Sequence, residues 1–153
     1  MEDNRNNDID RVRFTLGKSE KLRHRTLVEG VFSEGKTIYE YPLRATYRII
    51  GDDETLEGYF RNGVPSHVGL LQMLITIPKK KLRHAVDRVL MRRRIREAYR
   101  LNRHELRDAA EKAGVRSVEM AFIYLHREES DYHTIEKKMK RLLSKIAKEM
   151  QSE

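Results

Sequence analysis

An apolar run followed at once by a long stretch without helix breakers constrains the fold of this chain more than any other feature. The run, Leu70–Ile77 (LLQMLITI), ends at Pro78 and is dense enough for a central strand buried on both faces. No Gly or Pro interrupts the next stretch, from about Ala85 to Lys112, and Gly114 follows where a helix would end. The sequence therefore predicts a buried central strand that leads into a long helix.

Further strands are predicted on both sides of this pair. Val118–Leu125 (VEMAFIYL) is apolar again, and the resulting strand–helix–strand unit predicts two parallel strands. A short strand is predicted at Tyr39–Tyr41, stopped by Pro42. A half-buried strand follows, because apolar and polar residues alternate there. Its apolar positions are Leu43, Ala45, Tyr47 and Ile49.

Two more helices are predicted near the ends of the chain. The first spans about Lys21 to Glu34 and ends at Gly35. The last has one apolar face and a candidate cap at Ser130 or Asp131. The apolar residues of that face are Ile135, Met139, Leu142, Leu143, Ile146 and Met150. The predicted fold is α/β, a two-layer sandwich of about four strands and three helices.

The chain is predicted to form one domain. Residues 1–12 contain almost nothing to bury and are expected to be a disordered tail. Residues 13–153 are expected to fold as a single unit. Residues 51–68 combine three Gly, one Pro and several acids, which predicts a loop insertion.

The positive charge of the chain is concentrated in one segment. The formal net charge is +8, but residues 1–78 contain 11 Lys/Arg against 12 Asp/Glu, and residues 108–153 contain nine of each. Residues 79–107 contain 12 Lys/Arg and three acidic residues. A solvated surface would mix the two signs. We therefore interpret this segment as a surface that binds an anionic partner.

Most of these bases fall on one side of the predicted helix. Each residue of a helix advances about 100°, which collects six arginines beside an apolar stripe that can dock on the sheet. The six are Arg88, Arg92, Arg93, Arg96, Arg100 and Arg103. Before the helix, the positive field is extended by Lys79, Lys80, Lys81 and Arg83. Arg predominates over Lys here, and its planar guanidinium binds phosphate oxygens in pairs and stacks on bases.

RNA, DNA, a membrane surface and an acidic protein are all compatible with an Arg-rich helix. A helix that is merely solvated is disfavoured, because three acids cannot neutralise 12 bases. A membrane surface is disfavoured because the apolar stripe lacks Trp and Phe. A DNA-binding regulator would need a helix-turn-helix spacing or a dimer interface, and the sequence indicates neither.

Several other classes of function lack the residues that they need. The absence of Cys excludes disulfides, zinc–thiolate sites and a Cys nucleophile, and fits a cytoplasmic protein. The polar N-terminus has no apolar segment of the kind found in signal peptides, and the longest apolar run is too short to span a bilayer. The six His show no metal-ligand spacing, and no constellation of carboxylates and His is recognisable. No metal site and no protein-based active site are predicted.

The basic segment and the strand before it resemble the bacterial ribonuclease P protein family. In that family a strand ends in a Lys-Lys pair, and a short basic loop leads to a helix that begins Arg-Asn-Arg. Here LITIP precedes Lys79 and Lys80, and the helix reads RVLMRRRIREAYR from Arg88 to Arg100. The block VFSEG at residues 31–35 resembles the family's helix end and Gly turn. The resemblance covers about residues 14–150 and implies a ribosomal protein S5 domain 2-like fold.

The sequence departs from the family pattern at two positions of the Arg-Asn-Arg triplet. Val89 stands where the family has Asn, and Leu90 stands where it has the second Arg. Arg92, Arg93 and Arg96 match the later basic positions of the family. Since Val cannot make a polar contact with RNA, either neighbouring arginines carry that contact or affinity for the RNA is reduced. The loop at 51–68 is also long for the family.

The resemblance implies the protein subunit of a ribonucleoprotein endonuclease that removes the 5′ leader of precursor tRNA. In such an enzyme the RNA subunit is the catalyst, and Mg²⁺, bound mainly by that RNA, activates the attacking water. The implied partners are the catalytic RNA, held by the Arg-rich helix, and the single-stranded leader, with no membrane partner. The protein is expected to be monomeric without RNA.

The family also implies a cleft for the leader between the first helix and the sheet. By position, Val28 and Phe32 match cleft residues on the helix, and either Thr46 or Tyr47 matches the strand residue. Lys79 and Lys80 would reach leader phosphates. A single-strand site of low sequence preference needs stacking surfaces beside a positive groove, and core packing is an equally open role for Phe32 and Tyr47. The competing interpretation of the whole chain is a non-enzymatic protein that binds structured RNA, for example ribosomal RNA.

Overall fold

The computed structural model describes residues 16–17, 20–51 and 69–151. The tail predicted at 1–12 lies outside the described residues, and so does the predicted insertion except for Gly51. The elements, in chain order, are α1 (Arg25–Glu34), β1 (Lys36–Glu40), β2 (Leu43–Ile50), β3 (Leu71–Thr76), α2 (Ala85–Asn102), α3 (His104–Ala113), β4 (Ser117–Tyr124) and α4 (Tyr132–Gln151).

The four strands form one mixed sheet in the order β1-β2-β4-β3. β1 pairs antiparallel with β2, and β2 pairs antiparallel with β4. β3 and β4 are parallel, as the strand–helix–strand pattern predicted. The prediction that residues 70–77 form the central strand was wrong, because β3 lies at the edge and the fully buried β4 is central. β3 is nevertheless apolar, since elements pack against both of its faces.

The main core lies between one face of the sheet and a layer made of α2, α3 and α4. β2 contributes Leu43, Ala45 and Tyr47 to it, and β4 contributes Met120 and Phe122. The predicted apolar face of α4 is buried there along its whole length. The layered α/β architecture and the four-stranded sheet were therefore predicted from apolar periodicity.

A smaller cluster lies on the opposite face of the sheet, under α1. Leu27 and Val31 of α1 pack there with Ile50 of β2 and Ala121 of β4. Leu22, just before α1, completes the cluster, and its N–H donates to the carbonyl of Met73 at 2.9 Å. α1 begins at Arg25 rather than at the predicted Lys21, because this preceding segment lies along β3 instead.

The long helix predicted from Ala85 to Lys112 is divided in two, so the described ranges contain four helices where three were predicted. α2 ends at Asn102 and α3 begins at His104, with Arg103 between them at φ −74° and ψ −12°. α3 ends at Ala113, and Gly114, directly after it, adopts the left-handed conformation with φ 70°. The N–H of Gly114 donates to the carbonyl of Glu111, and the N–H of Val115 donates to the carbonyl of Ala110. These two hydrogen bonds form a Schellman motif.

Two further boundaries refine the predictions. β1 spans Lys36–Glu40 and ends before the predicted Tyr41. Asp131, one of two predicted caps, is the one that caps α4: its Oδ1 accepts the N–H of Thr134 at 2.9 Å. Hydrogen bonds from the side chain and from the backbone N–H of Thr134 lower the pKa of the Asp131 carboxyl. The hydroxyl of Ser130 instead forms a hydrogen bond with the hydroxyl of Tyr124 at 2.8 Å.

Candidate nucleic-acid interface

The two sides of α2 have opposite character. Met91, Ile95, Ala98 and Tyr99 are buried in the main core. The outer side exposes Arg93 and Arg96, with Arg92 half-buried beside them. These three guanidinium groups make no hydrogen bond or ion pair with any residue of the described ranges. We call Arg92, Arg93 and Arg96 the arginine surface.

The turn before α2 adds further positive charge. Lys79, Lys80 and Arg83 are exposed, and Lys81 is half-buried. Arg88 holds this turn in place, because its Nη1 donates to the carbonyls of Leu82 at 2.8 Å and Arg83 at 2.7 Å. Arg88 therefore shapes the basic turn as well as carrying charge.

Two other arginines of α2 are held by acidic partners. Arg100 donates from Nε to Oε2 of Glu97 at 3.0 Å, and this pairing lowers the pKa of the Glu97 carboxyl. Arg94 donates to the carbonyl of Ser130 at 2.6 Å and lies 3.9 Å from Glu129, which ties α2 to the start of α4. Arg100 was predicted to face RNA, and its charge is largely balanced within the helix.

Arg103 does not belong to the exposed face on which the sequence placed it. Its side chain is only 3% exposed, and Nε donates to Oε1 of Glu20 at 2.6 Å. Arg107 donates to the same oxygen at 2.7 Å, and Glu20 also accepts the N–H of Gly17 at 2.9 Å. The break between α2 and α3 turns Arg103 inward, where it anchors the segment that precedes α1.

The residues predicted to line a leader cleft divide between the two faces of the sheet. Phe32 is 47% exposed on α1, and Val28 is partly buried against the smaller cluster. Thr46 lies on the α1 side, opposite Ala121, which packs under α1. Tyr47 points the other way, into the main core, and its hydroxyl donates to Glu149 of α4. Of the two alternatives for the strand residue, Thr46 is therefore the one on the α1 side, and Tyr47 has the core-packing role that the sequence left open, because successive strand residues face opposite sides.

Two residues on the α1 side of the sheet were not predicted from the sequence. Tyr39, 59% exposed, lies directly opposite Arg44 in the β1–β2 pairing. The Nε of Arg44 is buried and has no hydrogen-bond partner in the described part of the chain. The alternation that places Leu43 and Ala45 in the core also places Arg44 and Thr46 together. We call the region formed by Phe32, Tyr39, Arg44 and Thr46 the α1 cleft.

A partly buried group of charged residues lies beneath α1, on the same side of the sheet as the α1 cleft. Arg48 of β2 donates from Nη2 to Oε1 of Glu119 at 2.8 Å and from Nη1 to Oε2 of Glu34 at 2.9 Å. A Cβ on Gly30 would stand 2.7 Å from Nη1 of Arg48, so a larger residue there would have to push the guanidinium aside. Burial raises the pKa of the Glu119 carboxyl, against the opposing effect of Arg48.

Neither a metal centre nor a membrane segment is found in the described ranges. Residues 16–17, 20–51 and 69–151 hold no group of three or more His, Asp or Glu side chains that could bind a metal ion. None of the helices described above is both long enough and apolar enough to cross a membrane. The chemistry that this surface offers is binding of phosphate and stacking on bases.

Comparison with known proteins decides which family combines these features. The family model described as Ribonuclease P matches residues 16–147. The ribonuclease P protein component of Porphyromonas gingivalis strain W83 is 37% identical over 134 residues, covering 88% of each chain. The protein from strain ATCC 33277 is 36% identical over the same length. The chain belongs to the ribonuclease P protein family.

Solved structures agree in fold. The ribonuclease P protein of Thermotoga maritima superimposes with a TM-score of 0.55 at 21% identity, covering 83% of this chain and 97% of that one. The ribonuclease P protein of Staphylococcus aureus also gives 0.55, at 14% identity, covering 86% and 97%. The family provides the accessory protein subunit of an endoribonuclease that acts in tRNA processing. The predictions of family and of fold class are confirmed.

Proposed function

We propose that this chain binds the catalytic RNA of ribonuclease P through the arginine surface and holds the 5′ leader of precursor tRNA in the α1 cleft. The observation that supports the first contact is that Arg92, Arg93 and Arg96 lie together on the outer side of α2, exposed or half-exposed, without an acidic partner in the described chain. Guanidinium groups gathered on one face repel one another unless phosphate neutralises them.

The leader contact is supported by the composition of the α1 cleft. Phe32 and Tyr39 offer aromatic surface, and Arg44, directly opposite Tyr39 in the sheet, offers a positive charge. Aromatic surface beside positive charge binds single strands without strong sequence preference. Arg44 lies level with the last residue of β3, Thr76, across Ile123. Lys79 and Lys80, which follow β3, therefore extend the positive charge from the same end of the sheet.

Mg²⁺ enters this proposal only through the RNA. In the described ranges, the carboxylates do not form a cluster that fits Mg²⁺. Bound to RNA and substrate phosphates, Mg²⁺ would supply the activation of the attacking water. The chain's own residues bind and orient the RNA.

The departures from the family triplet lie on or beside the arginine surface. Val89 is 44% exposed and Val86 is 78% exposed, so apolar side chains occupy the outer side of the first turns of α2. We propose that Arg92, Arg93 and Arg96, one to two turns later, carry the contact that Val89 cannot make. We further propose that the protein is cytoplasmic and monomeric without RNA.

The decisive experiment is cleavage of a precursor tRNA by a bacterial ribonuclease P RNA at low Mg²⁺, with and without this chain. We expect the chain to restore cleavage and to bind precursor tRNA more tightly than mature tRNA in the complex. No stimulation, with equal binding of both tRNAs, would instead indicate a binder of other structured RNA.

The variant Arg92→Ala/Arg93→Ala/Arg96→Ala tests the arginine surface directly. Loss of about three phosphate contacts should weaken binding of the catalytic RNA at least tenfold and flatten the dependence of log K on log salt by about 2. The matched control is Arg116→Ala/Arg127→Ala, which removes exposed charge elsewhere. Equal affinity and equal slope for the two variants would contradict the proposal.

A further inference from the structure

The outer side of α4 carries a second, continuous row of positive charge. At 100° per residue, six basic side chains lie on the side of α4 that faces away from the main core. They are Lys137, Lys138, Lys140, Arg141, Lys145 and Lys148, which we call the α4 basic stripe. The side chains of Lys140, Arg141 and Lys145 are 58%, 49% and 48% exposed.

The acidic residues of α4 are directed away from the middle of this stripe. Glu136 accepts hydrogen bonds from the hydroxyl of Tyr132 at 2.9 Å and from Asn102 of α2 at 3.3 Å. Glu149 pairs with Lys36 and Tyr47 on the sheet. On α4 itself, Glu136 and Glu149 are thus drawn toward α2 and the sheet, while most bases of the stripe are exposed.

Few carboxylates balance the stripe. Glu40 of β1 lies 3.9 Å from Lys138, 3.9 Å from Arg141 and 3.2 Å from Lys145. Glu136 lies 3.9 Å from Lys140. These are the acids that come within 4.0 Å of the stripe from the part of the chain that the structure describes. Two carboxylates against six bases leave a net positive surface.

α4 lies next to α2, which carries the arginine surface. Arg94 of α2 reaches the carbonyl of Ser130 at the start of α4, and Asn102 at the end of α2 reaches Glu136. The start of α4 is therefore in contact with the middle and the end of α2, and packed helices lie about 8–10 Å apart. The two basic surfaces therefore belong to neighbouring helices of one layer.

The stripe lacks the features of a protein-docking surface. Interfaces between proteins are organised around buried apolar and aromatic anchors. The large apolar side chains that are exposed in the described chain are Phe32, Tyr39, Tyr41, Val86 and Val89, and none of them lies on α4. Charge without an apolar anchor fits the phosphate backbone of a nucleic acid.

We propose that the α4 basic stripe is a second phosphate-binding surface for the RNA that α2 binds. This inference rests on the proposed function, since it assigns another contact to the same complex. Contacts to phosphate fix the orientation of a bound nucleic acid and carry little sequence information. The stripe thus orients the protein on the RNA, while α2 provides the adjacent contact.

The first test replaces three bases of the stripe in Lys137→Ala/Arg141→Ala/Lys148→Ala. The probe is the catalytic RNA of ribonuclease P, titrated with the full chain at several salt concentrations. We expect the slope of log K against log salt to flatten by about 2 and the affinity at low salt to fall about tenfold. The control, Lys112→Ala/Arg116→Ala/Arg127→Ala, removes the same charge elsewhere and should leave the slope nearly unchanged.

A second variant predicts a gain rather than a loss. Glu40→Gln removes the carboxylate that competes with RNA for Lys138, Arg141 and Lys145. We expect about two- to fivefold tighter binding of the catalytic RNA and a steeper salt dependence. The control is Glu29→Gln on α1, which removes an exposed acid that pairs with Arg25. Circular dichroism verifies that each variant is folded.

The outcomes separate this inference from the proposed function. If the arginine-surface variant loses affinity while the stripe variant matches its control, the inference is overturned and the proposed function stands. The inference would also be overturned if Glu29→Gln tightened binding of the catalytic RNA as much as Glu40→Gln does. If the unaltered chain neither binds the catalytic RNA nor stimulates cleavage, the proposed function itself fails.

Discussion

Glu20 is the residue on which the corner between α2 and α3 depends. Its carboxylate accepts from Arg103 at 2.6 Å and from Arg107 at 2.7 Å, and its side chain is 9% exposed. Buried ion pairs cost desolvation energy when they form, but removing one partner strands the other charge. The net contribution of this cluster to stability is therefore small, whereas the loss of Glu20 would leave the charge of Arg103 buried and unpaired.

Replacing Glu20 by Ala should be strongly destabilising. It leaves the buried guanidinium of Arg103 without its carboxylate, which typically costs about 3–5 kcal/mol. We expect the free energy of unfolding, measured by urea denaturation, to fall by about that amount. The control is Glu29→Ala, which breaks an exposed pair with Arg25 and should cost less than about 1 kcal/mol. Equal losses in the two variants would show that the cluster is not buried in solution.

The raised pKa of Glu119 predicts that its contribution to the stability of the fold falls as the pH rises. For most carboxylates that contribution rises instead. Burial raises its pKa above the ordinary value of 4.5. The folded state therefore retains the proton to higher pH than the unfolded state does, and stability is lost as pH rises through the folded pKa. Relative to Glu119→Gln, the unaltered protein should lose stability as the pH rises above about 4.5. Chemical denaturation at each pH measures this difference, and a gain with rising pH would refute the assignment.

At the scale of elements, periodicity identified most helices and strands but not their neighbours. The apolar run at 70–77 was assigned to the centre of the sheet because both of its faces are buried. In the structure β3 is an edge strand whose two faces are covered by the helix layer and by the cluster under α1. A sequence pattern reports burial of side chains and contains no information about which backbone lies beside a strand.

Periodicity also failed to show which arginines of the helix are exposed in every case. Helical spacing placed Arg92, Arg93 and Arg96 on one exposed side, where the structure has them. The same spacing also included Arg103, since nothing local signals a break in the helix at that residue. The partner that draws Arg103 inward, Glu20, is 83 positions away in the sequence. Contacts of that range are set by the fold, and periodicity does not reveal them.

Gly114 is the position at which an element boundary depends most on the backbone. Its φ of 70° is unfavourable for residues with a Cβ, although a Cβ there would meet no atom within 4 Å. Gly114→Ala should therefore lower the free energy of unfolding by roughly 1–2 kcal/mol through backbone strain alone. Gly114→Asn should cost less, because Asn tolerates this conformation. Thermal and urea denaturation of both variants measure the order, and a costlier Asn would contradict it.

For the whole molecule, the uneven charge predicts that the free protein is stabilised by salt. The net charge is +8, and the arginine surface and the α4 basic stripe place much of it in the helix layer. Screening relieves repulsion among these groups. Raising NaCl from about 20 to about 200 mM should raise Tm by a few degrees.

The variant Arg92→Ala/Arg93→Ala/Arg96→Ala tests the source of that effect. With three clustered charges removed, Tm should be less sensitive to salt than in the unaltered protein. Arg116→Ala/Arg127→Ala, in which the two exposed arginines flank β4, should retain most of the sensitivity. An identical salt response in all three proteins would locate the repulsion elsewhere.

The segment before α1 has a consequence for solubility. An edge strand offers unpaired N–H and C=O groups that can recruit strands from other molecules and start aggregation. Lys21 forms a parallel bridge with Met73 on the outer side of β3, and Leu22 donates its N–H to the carbonyl of the same residue. Glu20 ties this segment to Arg103. The ion pair that holds the α2–α3 corner therefore also helps to keep the outer edge of β3 from pairing with strands of other molecules.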